Sequence, residues 1–213
     1  MKSFPLRWLT ALALAGTISN PSVAVAETPG AVLADTTRYV IAADGNEARY
    51  RVREQLVGVS FPNDAVGVTK AIEGAIAVDQ AGRIVTGLSK ITVDLVSMAS
   101  DRDMRDSYVR RNTLVTENYP SVVLMPTELR GFRWPLPATG TITFQLTGNL
   151  TVKDVTRSTI WDVTLTAAGS TLTGTATTSF TFEEFGLTKP RVARVMSVED
   201  TIKLEYDLKL VRQ

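Results

Sequence analysis

The sequence predicts an all-β, antiparallel fold of about eight strands with one short helix between strands, closed as an up-and-down barrel or stacked as a sandwich. Three observations carry this expectation. Apolar and polar residues alternate in segment after segment, the pattern of strands that bury one face. Only residues 100–120 carry charges at helical spacing. Strands do not alternate with helical patterns, which argues against a parallel βαβ architecture.

The chain opens on an export signal. Lys2 and Arg7 give a positive start, residues 8–18 an apolar run, and Ala24-Val25-Ala26 a small-residue cleavage site. The run falls short of the roughly 20 residues a spanning helix needs. Residues 1–26 therefore read as a signal peptide, and the protein is expected in the periplasm or secreted. Residues 27–37 form a flexible leader broken by Pro29-Gly30, and 38–213 a single domain. Cleavage leaves 213 − 26 = 187 residues, enough for one sizeable core.

From residue 38 the elements follow in order. In 47–53, Ala48, Tyr50 and Val52 share one face, and Glu47, Arg49, Arg51 and Arg53 the other. A loop at Pro62-Asn63-Asp64 leads to Ile72, Gly74, Ile76 and Val78, which alternate with Ala71, Glu73, Ala75 and Ala77. Residues 79–82 suit a hairpin turn. Ile91, Val93 and Leu95 then oppose Lys90, Thr92 and Asp94.

The helical island reads SDRDMRDSYVRRNTLVTENYP. Ser100 is placed as an N-cap, and Asp103 three residues on makes a relative of the capping box. Asp101 and Arg105, Arg102 and Asp106, and Asp106 and Arg110 stand at i, i+4 spacing. Such pairs contribute roughly 0.2–0.5 kcal/mol each, too little to hold the segment, so Met104, Tyr108 and Val109 are expected to anchor it on an apolar surface. A solvated helix over one end of the fold and a lid over an internal cavity both fit this pattern.

Beyond the island, 122–129 is strand-like but contains Pro126, which cannot donate to a ladder, so an edge position or a bulge is expected. GFRWPLP at 131–137 is a proline-punctuated loop. Ile142, Phe144 and Leu146 share one face of the next strand, and Trp161, Val163 and Leu165 one face of the strand after it. Leu172, Gly174, Ala176, Thr178, Phe180 and Phe182 oppose a run of threonines. Last, Ile202, Leu204, Tyr206, Leu208 and Leu210 oppose Thr201, Lys203, Glu205, Asp207 and Lys209. Threonine suits exposed strand faces. Gly74, Gly174 and Ala176 on apolar faces lean toward a partly open interior, although barrel bends also use glycine.

Composition removes several function classes. The chain has no Cys and no His, which excludes disulfides, Ser-His-Asp and Cys-His catalysis and the usual zinc sites. After cleavage the formal charge is (23 − 2) − 22 = −1, which argues against nucleic acid or an anionic membrane surface as the main partner. Glu183 and Glu184 are adjacent, as are Glu199 and Asp200, so on a strand each pair points to opposite faces and makes a poor acid/base couple. Asp101, Asp103 and Asp106 are interleaved with Arg102 and Arg105, which opposes calcium. No catalytic residue, metal site or cofactor is expected.

The ordered motifs resemble the bacterial YceI-like family of exported polyisoprenoid-binding proteins. Asp101, Arg105-Asp106 and Arg110 match the family's D-x-x-x-R-D-x-x-[LIV]-R helix, followed by Tyr119-Pro120 before a strand. Gly148-Asn149-Leu150-Thr151-Val152-Lys153-Asp154-Val155-Thr156 resembles its G-x-L-T-[LIV]-x-G-V-T hairpin, and Phe185-Gly186-Leu187 its F-G-[LI] element. Asp154 stands where the family usually has Gly, and 61–69 lacks a histidine often found there. The resemblance implies a lipocalin-like up-and-down barrel that holds a long apolar isoprenoid, a quinone or polyprenyl lipid, as ligand and not as cofactor. It implies no catalytic residues.

The leading expectation is thus an exported carrier or store of such a lipid. Its wall would come from Tyr50 and Val52, Ile72 and Ile76, Ile91, Val93 and Leu95, Phe144 and Leu146, Phe180 and Phe182, and Leu204 and Tyr206. Met104 and Tyr108 would be the members of the helical island nearest the ligand, and Lys189, Arg191 and Arg194 either surface charge or holders of a headgroup. Loading leaves room for transient membrane contact, and a homodimer is compatible with the chain. The alternative is a filled barrel acting as a non-enzymatic interaction module, with loop 132–137 as contact surface; Phe132 and Trp134 would be its exposed anchors, unless they instead close one barrel end.

Overall fold

Alternation of inward apolar and outward polar residues allows a sheet to bury one face by closing on itself, and that is the solution adopted. The computed structural model describes residues 36–213. The expected signal peptide and nearly all of the leader lie outside the described residues. Ten strand segments run in order: β1 (Thr37–Ile41), β2 (Glu47–Leu56), β3 (Asn63–Thr69), β4 (Ile72–Val78), β5 (Lys90–Asp94), β6 (Ser121–Arg130), β7 (Thr139–Val152), β8 (Val155–Ala168), β9 (Thr171–Thr181) and β10 (Val195–Arg212). One short helix, α1 (Asp103–Tyr108), lies between β5 and β6 and continues as a wider π-helical turn through Val109–Thr113.

Every pairing between strands is antiparallel, and the sheet order β1-β4-β5-β6-β7-β8-β9-β10 closes through β1–β10 into an eight-stranded barrel. The extra segments arise because two long strands are each interrupted. β1 and β2 lie end to end along one edge of β10, with Ile41 opposite Leu210 and Glu47 opposite Asp207, and β4 and β3 continue outside them. The interruption at 42–46 is held by Asn46. Its amide donates to the carbonyl oxygens of Ala42 (2.9 Å) and Asp44 (3.2 Å), and its Oδ1 accepts from the Tyr206 hydroxyl and the Lys209 N–H, both at 2.9 Å.

Pro126 sits inside the barrel wall and not at an edge. The bulge alternative is realised: pairing with β7 slips between Pro126 and Glu128, and the Thr127 hydroxyl donates to the Thr147 carbonyl (3.0 Å). Of the three small residues read as hints of an open interior, Gly174 serves close strand approach, since a Cβ there would lie 1.9 Å from the Thr164 carbonyl oxygen. Ala176 alone of them borders the open interior.

The connections sort by barrel end. The upper end carries the β2–β3 tip (57–62), the helical segment, the β7–β8 turn and the β9–β10 connection; the lower end carries 79–89, 131–138 and 169–170. At the lower end Phe132 stacks on Trp134 (6.1 Å between ring centres) and meets Phe144 edge-on (5.0 Å). The Trp134 indole N–H donates to the Gln80 carbonyl (3.0 Å), and its Cβ lies over Gly82, where a side chain would collide with it. Phe132, Trp134 and Leu136 are half-buried against the core, so they plug the barrel and are not the exposed anchors of the interaction-module reading.

Candidate internal binding site

The inner faces do not fill the barrel. They leave a cavity of about 130 Å³ whose wall is almost entirely apolar. β2 contributes Tyr50, β4 Ile76, β5 Ile91 and Val93 with Leu95 just beyond its end, β7 Phe144 and Leu146, and β10 Leu204 and Tyr206. β6, β8 and β9 complete it with Val122 and Leu124, with Trp161, Val163 and Leu165, and with Ala176.

Two polar groups of this wall have their partners outside the cavity. The Trp161 indole N–H donates to the Thr159 hydroxyl (2.9 Å), and the Tyr206 hydroxyl to Asn46. Burial pushes the Tyr206 hydroxyl well above the usual tyrosine range and Tyr50 up to about 12, so both stay neutral. Arg49 and Glu205 also border the cavity, but their charges pair with each other on the outer face (3.5 Å). The interior therefore offers surface for a hydrocarbon and no charge for a headgroup.

The helical segment covers the upper end. Arg105, 11% exposed, pairs with Glu54 of β2, 8% exposed, and also with Asp101. Burial pulls the Arg105 guanidinium pKa down, but the hydrogen bonds to Glu54 and Asp101 outweigh it and leave it raised. Asp106 is buried and accepts the Ser100 N–H (2.9 and 3.0 Å) and the Ser100 hydroxyl (2.6 Å), and Arg110 donates to the Met98 carbonyl (2.9 Å). Tyr50, Leu95 and Met98 face Asp106, Val109, Arg110 and Leu114 across a residual void of about 10 Å³.

Several expectations for this segment change. The helix begins two residues later than a Ser100 cap implies, with Arg102 at the N-cap and no side-chain cap; Ser100 instead serves Asp106. Of the three i, i+4 pairs, only Asp101–Arg105 forms as an ion pair, because Asp106 and Arg110 are engaged by the loop before the helix. Met104 is 78% exposed and anchors nothing inside; Val109 and Leu114 face the barrel, while Tyr108 is half-buried.

Nine of the expected wall residues meet around the cavity: Tyr50, Ile76, Ile91, Val93, Leu95, Phe144, Leu146, Leu204 and Tyr206. Val52, Phe180 and Phe182 are buried outside the lining, with Phe180 against Phe185 (4.4 Å between ring centres), and Ile72 packs half-buried on the same core. The pattern missed Leu124 and Leu150 in particular. Inward parity flips at the Pro126 bulge, with Val122, Leu124 and Pro126 inward before it and Leu129 opposite inward Leu146 after it, so simple alternation could not track this strand.

The carboxylate pairs have structural roles. Glu184 accepts the Thr181 N–H (2.6 Å) and hydroxyl (3.0 Å) at the turn after β9, and Asp200 pairs with Lys189 (3.2 Å). Among the described residues no group of three His, Cys, Asp or Glu side chains could hold a metal ion.

A closed antiparallel barrel around an apolar pocket with a helical cover defines a class of small pocket-bearing β-barrel proteins. Within it, the chain belongs to the YceI-like family, whose domain model matches residues 39–210. The fold is shared with a polyisoprenoid binding domain from Saccharophagus degradans implicated in plant cell wall breakdown, at 10% identity and a TM-score of 0.60, over 82% of this chain and 98% of that one. BcnA of Burkholderia cenocepacia aligns over 79% of this chain and 98% of its own, at 15% identity and a TM-score of 0.56. The YceI protein of Campylobacter jejuni aligns over 75% and 90%, at 13% identity and a TM-score of 0.56. No curated protein matches the chain.

Proposed function

We propose that this protein is an exported binding protein that encloses an apolar isoprenoid lipid, of quinone or polyprenyl type, and carries or stores it. The observation that carries this reading is the cavity: about 130 Å³ of apolar-walled space inside a closed barrel. Membership of the family and the polyisoprenoid-binding description of the Saccharophagus relative support the same ligand class. An apolar cavity of roughly 150 Å³ stays dry and takes up benzene. A ring or a few isoprene carbons therefore fit as the barrel stands, and a longer tail must part the walls or pass under the helix. Each CH₂ taken from water contributes about 0.8 kcal/mol, so a short enclosed length gives useful affinity.

The reading is of binding without catalysis or cofactor, since the wall presents no nucleophile or acid/base pair to a ligand. Transient membrane contact would serve loading, and a homodimer is compatible with it.

The test is organic extraction and mass spectrometry of protein purified from its natural source. Recovery of a stoichiometric isoprenoid supports the proposal; repeated recovery of nothing apolar, with no uptake of added quinone, sinks it. In the same assay Ala176→Leu, which pushes a larger side chain into the cavity, should lose uptake while remaining folded.

A further inference from the structure

The bulky apolar side chains exposed on the described surface are unevenly distributed. Apart from Met125 and Ile160 on the outer wall, all of them lie at the upper end. The β2–β3 tip carries Val57, Val59 and Phe61, the last 79% exposed, with no charged residue between Leu56 and Asn63. The β9–β10 connection beside it adds Val192 and Met196, joined to the tip by the Val57 N–H donating to the Arg194 carbonyl (3.0 Å) and by Leu56 opposite Val195. Met104 and Val96 are exposed at the same end.

The charges of this connection have one sign. Residues 188–198 hold Lys189, Arg191 and Arg194 and no acidic residue. Lys189 is paired with Asp200, whereas Arg191 and Arg194 are exposed and form no ion pair among the described residues. An apolar tip flanked by unpaired arginines complements an anionic lipid surface: the tip enters the acyl boundary while the guanidiniums meet phosphates. The same end carries the helical segment that covers the cavity.

We propose that the upper end docks on an anionic bilayer, with the hairpin tip 57–61 and Met196 inserting shallowly and Arg191 and Arg194 binding lipid phosphates. The proposal takes lipid carriage as its purpose, but its evidence is the surface and not the cavity.

Flotation of the full purified chain with vesicles of phosphatidylcholine and phosphatidylglycerol in equal parts, against phosphatidylcholine alone, tests it. Binding should favour the anionic vesicles and fall as salt is raised. Phe61→Ser should weaken it on the order of tenfold, and Arg191→Glu with Arg194→Glu by a similar factor. All these side chains are exposed, so folding and uptake of quinone from detergent should be unchanged. Vesicle binding that is absent, or indifferent to these variants, overturns the proposal. So does a concentration-dependent dimer that Phe61→Ser dissociates, because the patch would then be covered by a second copy. Vesicle binding by a protein that never takes up lipid would sustain the docking surface while the carrier reading falls, so the two fail separately.

Discussion

The lower end of the barrel is closed by aromatic packing: Phe132 stacks on Trp134 and meets Phe144 edge-on, and an indole hydrogen bond to Gln80 fixes the plug. The upper end is covered by a helix held through charge, with Arg105 on Glu54 and Asp106 on Ser100. Packing of the first kind degrades in proportion to the area removed. A buried ion pair behaves differently, since deleting one partner strands the other, whereas deleting both is nearly neutral. The end that bears the exposed apolar tip is thus also the end whose cover is fastened by a few directional contacts, an arrangement suited to opening as a unit.

The largest effect is expected from breaking that fastening. Arg105→Met leaves Glu54 buried without its cation and should cost about 3–5 kcal/mol in urea unfolding. The double variant Arg105→Met with Glu54→Leu should recover most of the loss. If the double variant is as unstable as the single one, the pair is not what holds the cover.

At the lower end Trp134→Ala removes a half-buried ring and should cost about 2–3 kcal/mol, below the range for a fully buried tryptophan. No second substitution should restore it in the manner of the Glu54 partner. Vesicle association should be untouched, because the lesion is at the opposite end from the patch; a loss there would mean that the two ends are coupled.

A smaller effect follows from acid. Lys203 (2.9 Å) and Arg51 (3.2 Å) donate to the Glu205 carboxylate and hold its pKa down to about 2, and Arg51 also reaches Asp64 of β3 (3.1 Å). This network ties the β2–β3 hairpin to β10 beneath the upper end. Because the folded pKa lies below the ordinary value of 4.5, its contribution is complete above pH 4.5 and is lost as pH falls toward 2. After allowance for solvent screening the loss should be on the order of 1–2 kcal/mol. Hydrogen exchange should show β2 and β3 opening before the lower end, and Glu205→Gln should flatten this acid limb.

The two ends were also unequally legible in the sequence. Alternation exposes wall residues wherever a strand is regular, so β7, β8, β9 and β10 read correctly, and the helix was visible as the only charged island. What alternation cannot give is height along the barrel: Phe180 and Phe182 share the inward face with Ala176, yet pack outside the cavity. Nor does it register slips, which is why the Pro126 bulge hid Leu124. Aromatic residues among prolines looked as much like a contact loop as a plug, because their burial depends on Gly82 and Gln80 about fifty positions away. The upper end was misread for a related reason. Helical spacing pairs Asp106 with Arg110, but both are claimed by Ser100 and Met98 in the loop before the helix, which i, i+4 counting does not see.

Met104 gives the smallest expected effect and separates the two roles of the upper end. A methionine four residues before Tyr108 looks like a helix anchor, and an anchoring methionine would cost about 2 kcal/mol or more on truncation. At 78% exposure it has little packing to lose, so Met104→Ser should change stability by less than about 0.5 kcal/mol. If the upper end meets a bilayer, the same substitution should still weaken vesicle association by about twofold, because it removes apolar surface from the face that touches lipid. A variant silent in unfolding but visible in flotation would show that the exposed apolar residues of this end contribute to docking and not to the core. A variant that unfolds the helix would return Met104 to the anchoring role its spacing suggests.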